Sequence, residues 1–252
     1  MSQLGSKFWL RLSFSPSKTG WFILFWEAIM KDHIKEFKSF LEMDLQPAIA
    51  ELNKITDEKS RKHLQKLVFT NLVDRFDYCI DKTLLELIDS KELIEELLES
   101  HKKPVNESEI LKLMLSAESP REIAIERLKD TLRNTILRSR HSEKLGKLLK
   151  TMNVDDNKWR KPRVNPSTGQ IFDEYKPQNN KIPASIEGYA DWLYSRRNAI
   201  VHGGGKSKLL DNDSKQLEKK FKCKAAKTVR LQLSSIENAG KFYTNLLAKC
   251  LL

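Results

Sequence analysis

The segment Asp191-Trp-Leu-Tyr-Ser-Arg-Arg-Asn-Ala-Ile-Val-His-Gly-Gly-Gly205 gathers a guanidinium, a carboxamide and an imidazole at Arg197, Asn198 and His202. An imidazole titrates near neutral pH and can move protons. A guanidinium offers fixed N–H donors to phosphate oxygens on which charge is building. A carboxamide both donates and accepts. These groups suit phosphodiester chemistry. On RNA the 2′-hydroxyl supplies the nucleophile, so no metal is required.

One element must position them. Ile186, Ala190, Leu193, Ile200 and Val201 recur at helical spacing, which predicts a helix from about 185 to 202. At 100° per residue Arg197 falls near the middle of that apolar stripe, four residues after Leu193. A guanidinium there must be paired, sit at an interface or line a cleft. Asp74, Asp77 and Asp81 on a second predicted helix are its candidate ion-pair partners. A buried pair stabilises poorly compared with apolar packing, so its presence needs another reason. Asn198 and His202 are four apart and share an adjacent face. Gly203-Gly204-Gly205 ends the helix and lets a ligand approach the backbone closely.

Arg197-Asn198-Ala199-Ile200-Val201-His202 resembles the signature of the HEPN superfamily, an all-α domain of prokaryotic toxins, antiviral systems and RNA-guided ribonucleases. The trailing Ile-Val-His-Gly is similar to many members. The resemblance implies a metal-independent endoribonuclease acting as a homodimer, which leaves a 2′,3′-cyclic phosphate and a 5′-hydroxyl. It implies His202 as general acid or base, Arg197 as the phosphate-stabilising residue and Asn198 as the group that orients them or binds RNA. Arg196, Lys206 and Lys208 are the expected RNA contacts. An antitoxin or a neighbouring defence protein is the expected protein partner, and no cofactor or metal is expected. Some members carry a modified Tyr two residues after the His; Gly204 stands there in this chain, so that regulation is not supported. A non-catalytic module of the same type, binding RNA or protein, is the alternative.

Charge agrees with a polyanionic partner. The 252 residues carry 45 Lys and Arg against 34 Asp and Glu, a net charge of +11. Residues 1–100 are net −3, whereas 101–200 and 201–252 are each net +7. A basic face in the C-terminal part is implied, although a solubilising surface would give the same totals. The run Lys215, Lys219, Lys220, Lys222, Lys224 and Lys227 is open to both readings.

The rest of the chain reads as an all-α antiparallel bundle of HEPN type with one long inserted loop. Hydrophobic residues are 40%, while Gly and Pro are only 9 and 8, which favours helices over a many-turned β-sandwich. Helices are predicted over 32–54 with a kink or break at Pro47, over 57–89 continuing as an acidic stretch to 99, and over 107–117. Ser119-Pro120 marks a helix start, with that helix running to about 150. Residues 153–183 hold four prolines and read as an excursion that shapes an RNA groove. A partly helical stretch (216–221) and an amphipathic helix (227–252) close the chain.

Residues 1–29 form an atypical leader with three of the five tryptophans, and 30–252 a single domain. The leader loosely mimics a signal peptide but lacks a small-residue cleavage site, and its apolar run is shorter than a bilayer span of about 20 residues. Met30 is the preferred start, with a membrane-surface anchor as the alternative; no stable membrane insertion is expected. Cys79, Cys223 and Cys250 are widely spaced and odd in number, which excludes a CxxC zinc site and fits a reducing, cytoplasmic compartment. His33, His63 and His101 read as surface residues. The near-match Arg133-Asn134 with His141 reads as basic helix surface. Asp155-Asp156 and Asp173-Glu174 are isolated acidic pairs, better placed on the surface than at a metal.

Overall fold

The computed structural model describes residues 32–100, 106–116, 119–177, 181–203, 207–225, 229 and 231–252. The expectations for the leader 1–29, His101, Gly204, Lys206 and Lys227 lie outside the described residues.

The fold is all-α. Helix α1 (32–39) passes through a π-helical stretch, Phe40–Leu45, into α2 (Gln46–Lys54). Pro47 does not break the run. It has no N–H to give, and the wider π turns just before it absorb the missing hydrogen bond and the ring's bulk. Helix α3 (Glu58–Glu86) is the longest; Asp57 caps it, Oδ2 accepting from the Ser60 amide at 2.7 Å. A 3₁₀ turn, Leu87–Asp89, leads to α4 (Lys91–Ser100). Helices α5 (Glu107–Ser116) and α6 (Pro120–Asn134) follow. Pro120 opens α6, but the Ser119 side chain makes no capping hydrogen bond.

The helix expected to run on to residue 150 ends at Asn134. A 3₁₀ turn, Ile136–Arg138, intervenes before α7 (His141–Thr151). No Gly or Pro announces the break. Its counterpart is tertiary: Arg140 and His141, just beyond it, reach carboxylates on two other helices.

The excursion has structure of its own. It contains the short α8 (Asp156–Trp159) and the antiparallel strands β1 (Arg163–Val164) and β2 (Ile171–Phe172), paired Arg163 to Phe172 and Val164 to Ile171. Gly169, at φ +72°, turns the hairpin against α11; a Cβ there would stand 1.9 Å from the Asn238 carbonyl oxygen. The pattern missed these strands because two residues are too few to alternate.

Helix α9 (Ile186–Gly203) packs against α3, α7 and α10 (Ser207–Phe221), and α10 is a full helix rather than the short piece expected. Helix α11 (Leu233–Leu246), ending in a π stretch, Leu247–Leu251, packs on α2 and α3. Phe37, Phe76, Tyr243, Phe242 and Tyr189 form a continuous aromatic spine through this core. All three cysteines are buried and free. No described helix is long and apolar enough to cross a membrane.

Candidate functional site

Helix α9 is covered nearly all round in its middle. Tyr189, Ala190, Asp191, Trp192, Leu193, Ser195, Arg196 and Ala199 are buried. Beyond Ala199 the helix emerges, and Val201 and His202 are exposed. The helix therefore carries the RNxxxH residues from the core edge out to the surface.

Arg197 sits at that edge, its side chain 21% exposed. Its Nε is 2.5 Å from Asp74 Oδ1, a contact of charge whose angle does not make it an aligned hydrogen bond. Its Nη1 donates to Asn198 Oδ1 at 2.9 Å, and its guanidinium lies 5.9 Å from the Tyr194 ring centre. Asp74 is thus the partner among the three aspartates offered by the sequence. Arg197 and Asn198 are in direct contact. His202 follows one turn after Asn198, with no hydrogen bond or ion pair among the described residues.

Arg196, expected to touch RNA, points inward instead. It is 7% exposed, with its guanidinium 4.4 Å from the Trp192 ring centre and 6.0 Å from that of Phe69. Burial lowers its pKa to about 10. The centre of the buried stripe passes through Arg196 rather than Arg197, one position from the expectation, because α3, α7 and α10 cover three sides of α9. Lys208 falls in the first turn of α10. Lys215, Lys219, Lys222 and Lys224 are exposed, whereas Lys220 donates to Ser142 Oγ at 2.9 Å.

A polar cluster that the sequence did not disclose supports the site from beneath. His141, read as surface, is fully buried. Its Nδ1 is 2.9 Å from Asp77 Oδ1 and its ring stacks on Tyr194 at 5.1 Å. Lys144, 2% exposed, bridges Asp77 at 2.5 Å and Asp81 at 2.7 Å. Burial works against the Asp77 charge, but the hydrogen bond and charge of His141, with those of Lys144, bring its pKa down to about 2. Burial pushes the Asp81 carboxyl up, and Lys144 offsets only part of that. Asp74, Asp77 and Asp81, three and four apart on α3, therefore hold α7 and α9 through Lys144, His141 and Arg197. That spacing was the available signal; which cations it would meet depended on the turn before α7.

A second cluster lies one side over. Arg140 Nε donates to the buried Asp191 Oδ2 at 2.8 Å, and Arg140 also meets Ser195, Asp213 and Gln216. Burial opposes the Arg140 charge, yet Asp191 and Asp213 hold its pKa above the ordinary value.

Several other titratable groups are engaged locally. His33 is half-buried, Nε2 2.9 Å from Glu86, so it is not the partnerless surface residue expected; His63 is exposed. Asp155 caps α8, Asp156 pairs with Arg160 at 3.1 Å, and Asp173 pairs with Lys249 at 2.5 Å. Among the described residues no group of three His, Cys, Asp or Glu side chains is disposed to hold a metal ion. No family model, no curated protein and no solved structure matches this chain.

Proposed function

We propose that this protein is a HEPN-like endoribonuclease that cleaves RNA by attack of the 2′-hydroxyl on the adjacent phosphorus. The supporting observation is the end of α9: an arginine held by the charge of a carboxylate and hydrogen-bonded to its neighbouring amide, with an exposed histidine one turn after that amide. His202 takes the proton from O2′, or delivers one to O5′. The O2′–P bond forms, the P–O5′ bond breaks, and the products end in a 2′,3′-cyclic phosphate and a 5′-hydroxyl. Arg197 neutralises charge on the non-bridging oxygens. Asn198 fixes the plane of that guanidinium. The nucleophile belongs to the substrate, so the step needs no metal. Lys215, Lys219, Lys222 and Lys224, all exposed, suit the phosphate backbone. We read the active form as a homodimer working in the cytoplasm, within a defence or toxin–antitoxin system. Incubating purified protein with end-labelled single-stranded RNA in EDTA and identifying the new termini tests the reading.

The contact of Arg197 with Asp74 favours a second reading, in which the pair is structural and the protein binds RNA without cutting it. RNA retention without cleavage, unchanged in Arg197→Lys, distinguishes that outcome.

A further inference from the structure

The opposite end of α9 presents a half-buried carboxylate to a cavity. Glu187, in the first turn, is half-buried in the wall of a space of about 640 Å³ between α7, α8 and α10. It forms no hydrogen bond or ion pair with a described residue. Room for it is kept by Gly146 on α7, where a Cβ would stand 2.4 Å from Glu187 Oε1. Burial pushes its pKa up, and the nearby charges of Lys220, Arg160 and Lys150 offset this only in part.

The other walls carry four cations, Lys147, Lys150, Arg160 and Lys220, beside the carboxylates of Glu96 and Glu143. Lys150 makes no ion pair among the described residues. Arg160 lies 4.6 Å from the ring centre of Trp159 and pairs with Asp156 at the surface, and Lys220 donates to Ser142 Oγ and pairs with Glu143 at 3.2 Å. The cavity thus leaves Glu187 without a donor and Lys150 without an anion among the described residues.

We propose that this cavity binds a guanine nucleotide, with Glu187 accepting from the base and Lys150 facing its phosphate, where Arg160 and Lys220 exchange surface carboxylates for it. An ionised carboxylate is acceptor only. Guanine alone among the four RNA bases presents two adjacent donors, N1–H and the 2-amino group, matched to the two carboxylate oxygens. Adenine and cytosine place a ring acceptor beside their amino group, and uracil flanks its one N–H with carbonyls. The volume lies within the range of about 300–1,000 Å³ usual for small-molecule sites. Glu187 and His202 are fifteen positions apart on α9, which puts this cavity about 22 Å along the axis from the candidate catalytic end. Binding in this cavity does not depend on cleavage. The guanine nucleotide is either free or a residue of an RNA chain.

The test is calorimetric titration of full-length protein with GMP, AMP and inorganic phosphate, using wild type, Glu187→Gln, Gly146→Ala and His202→Ala, with circular dichroism to verify folding. Wild type and His202→Ala are expected to bind GMP at least about tenfold more tightly than AMP, a difference of about 1.4 kcal/mol. Glu187→Gln and Gly146→Ala are expected to bring the two ligands within about twofold of each other, while inorganic phosphate still binds. Equal binding of GMP and AMP to wild type, no GMP binding, or selectivity that survives Glu187→Gln would overturn the proposal. A tetranucleotide with one guanosine among uridines assigns the source: binding tighter than GMP points to RNA, weaker binding to the free nucleotide. Because His202→Ala keeps its GMP selectivity here, failure of the ribonuclease reading is told apart from failure of this one.

Discussion

Asp74 Oδ1 on α3 lies 2.5 Å from Arg197 Nε on α9, at the point where α9 leaves the core. The pair is half in water, the Asp74 side chain being 43% exposed, so its worth to stability is small, about 1 kcal/mol or less. Its effect is on position: the Asp74 charge holds the guanidinium at the core edge, while the hydrogen bond from Nη1 to Asn198 Oδ1 sets its direction. Asp74→Asn is accordingly expected to leave the melting temperature nearly unchanged but to lower RNA cleavage about tenfold, roughly 1.4 kcal/mol in the barrier. A melting curve beside an initial-rate assay checks this; a large loss of stability with an unchanged rate would make the pair purely structural.

Arg196 has the opposite profile. Buried against Trp192 and Phe69, it contributes packing. Arg196→Ala is expected to cost about 2–3 kcal/mol in urea unfolding, in the range of core truncations. The slope of RNA affinity against salt is expected to stay unchanged, because a phosphate contact would contribute about one unit to it.

The Asp77–His141–Lys144 cluster ties stability to acid pH. The Asp77 carboxyl falls from 3.8 to about 2 on folding. A depressed acid stabilises the fold above its unfolded pKa, and the contribution is lost as pH drops through the folded value. Stability is therefore expected to fall by about 2 kcal/mol between pH 4 and pH 2 on this group's account. Asp77→Asn should remove that share of the acid limb, leaving the opposing share of Asp81, whose carboxyl is pushed up. Urea titrations over that pH range read it directly.

The sequence was informative where a local rule decides. The proline at the start of α6 and the apolar spacing of α3 need only neighbours in the chain. Arg197 was legible because a charge on an apolar stripe demands a partner, and three aspartates stood at helical spacing. Long-range choices were not legible. The break after Asn134 follows from carboxylates on α3 and α9, and His141 became a core residue only through that break. Arg196 and Arg197 are adjacent and chemically identical. Which one turned inward depended on three helices closing around α9, which a single stripe does not encode.

Gly169 turns the hairpin onto α11 with positive φ and no room for a methyl group. Gly169→Ala is expected to destabilise by about 2–4 kcal/mol, combining left-handed strain and overpacking. If the hairpin only shapes a groove, RNA affinity should fall while the chemistry at His202 persists at saturating RNA, which rates at varied RNA concentration would separate.

His202 and Arg197 carry the proposed chemistry from the same end of α9. The most direct measurement is cleavage of labelled single-stranded RNA in EDTA by wild type and by His202→Ala, with the termini identified. The account predicts 2′,3′-cyclic phosphate and 5′-hydroxyl ends from wild type and a loss of about 10²-fold or more in His202→Ala, the scale of general acid–base catalysis. Equal cleavage by both proteins, or RNA bound and left intact by both, would contradict it.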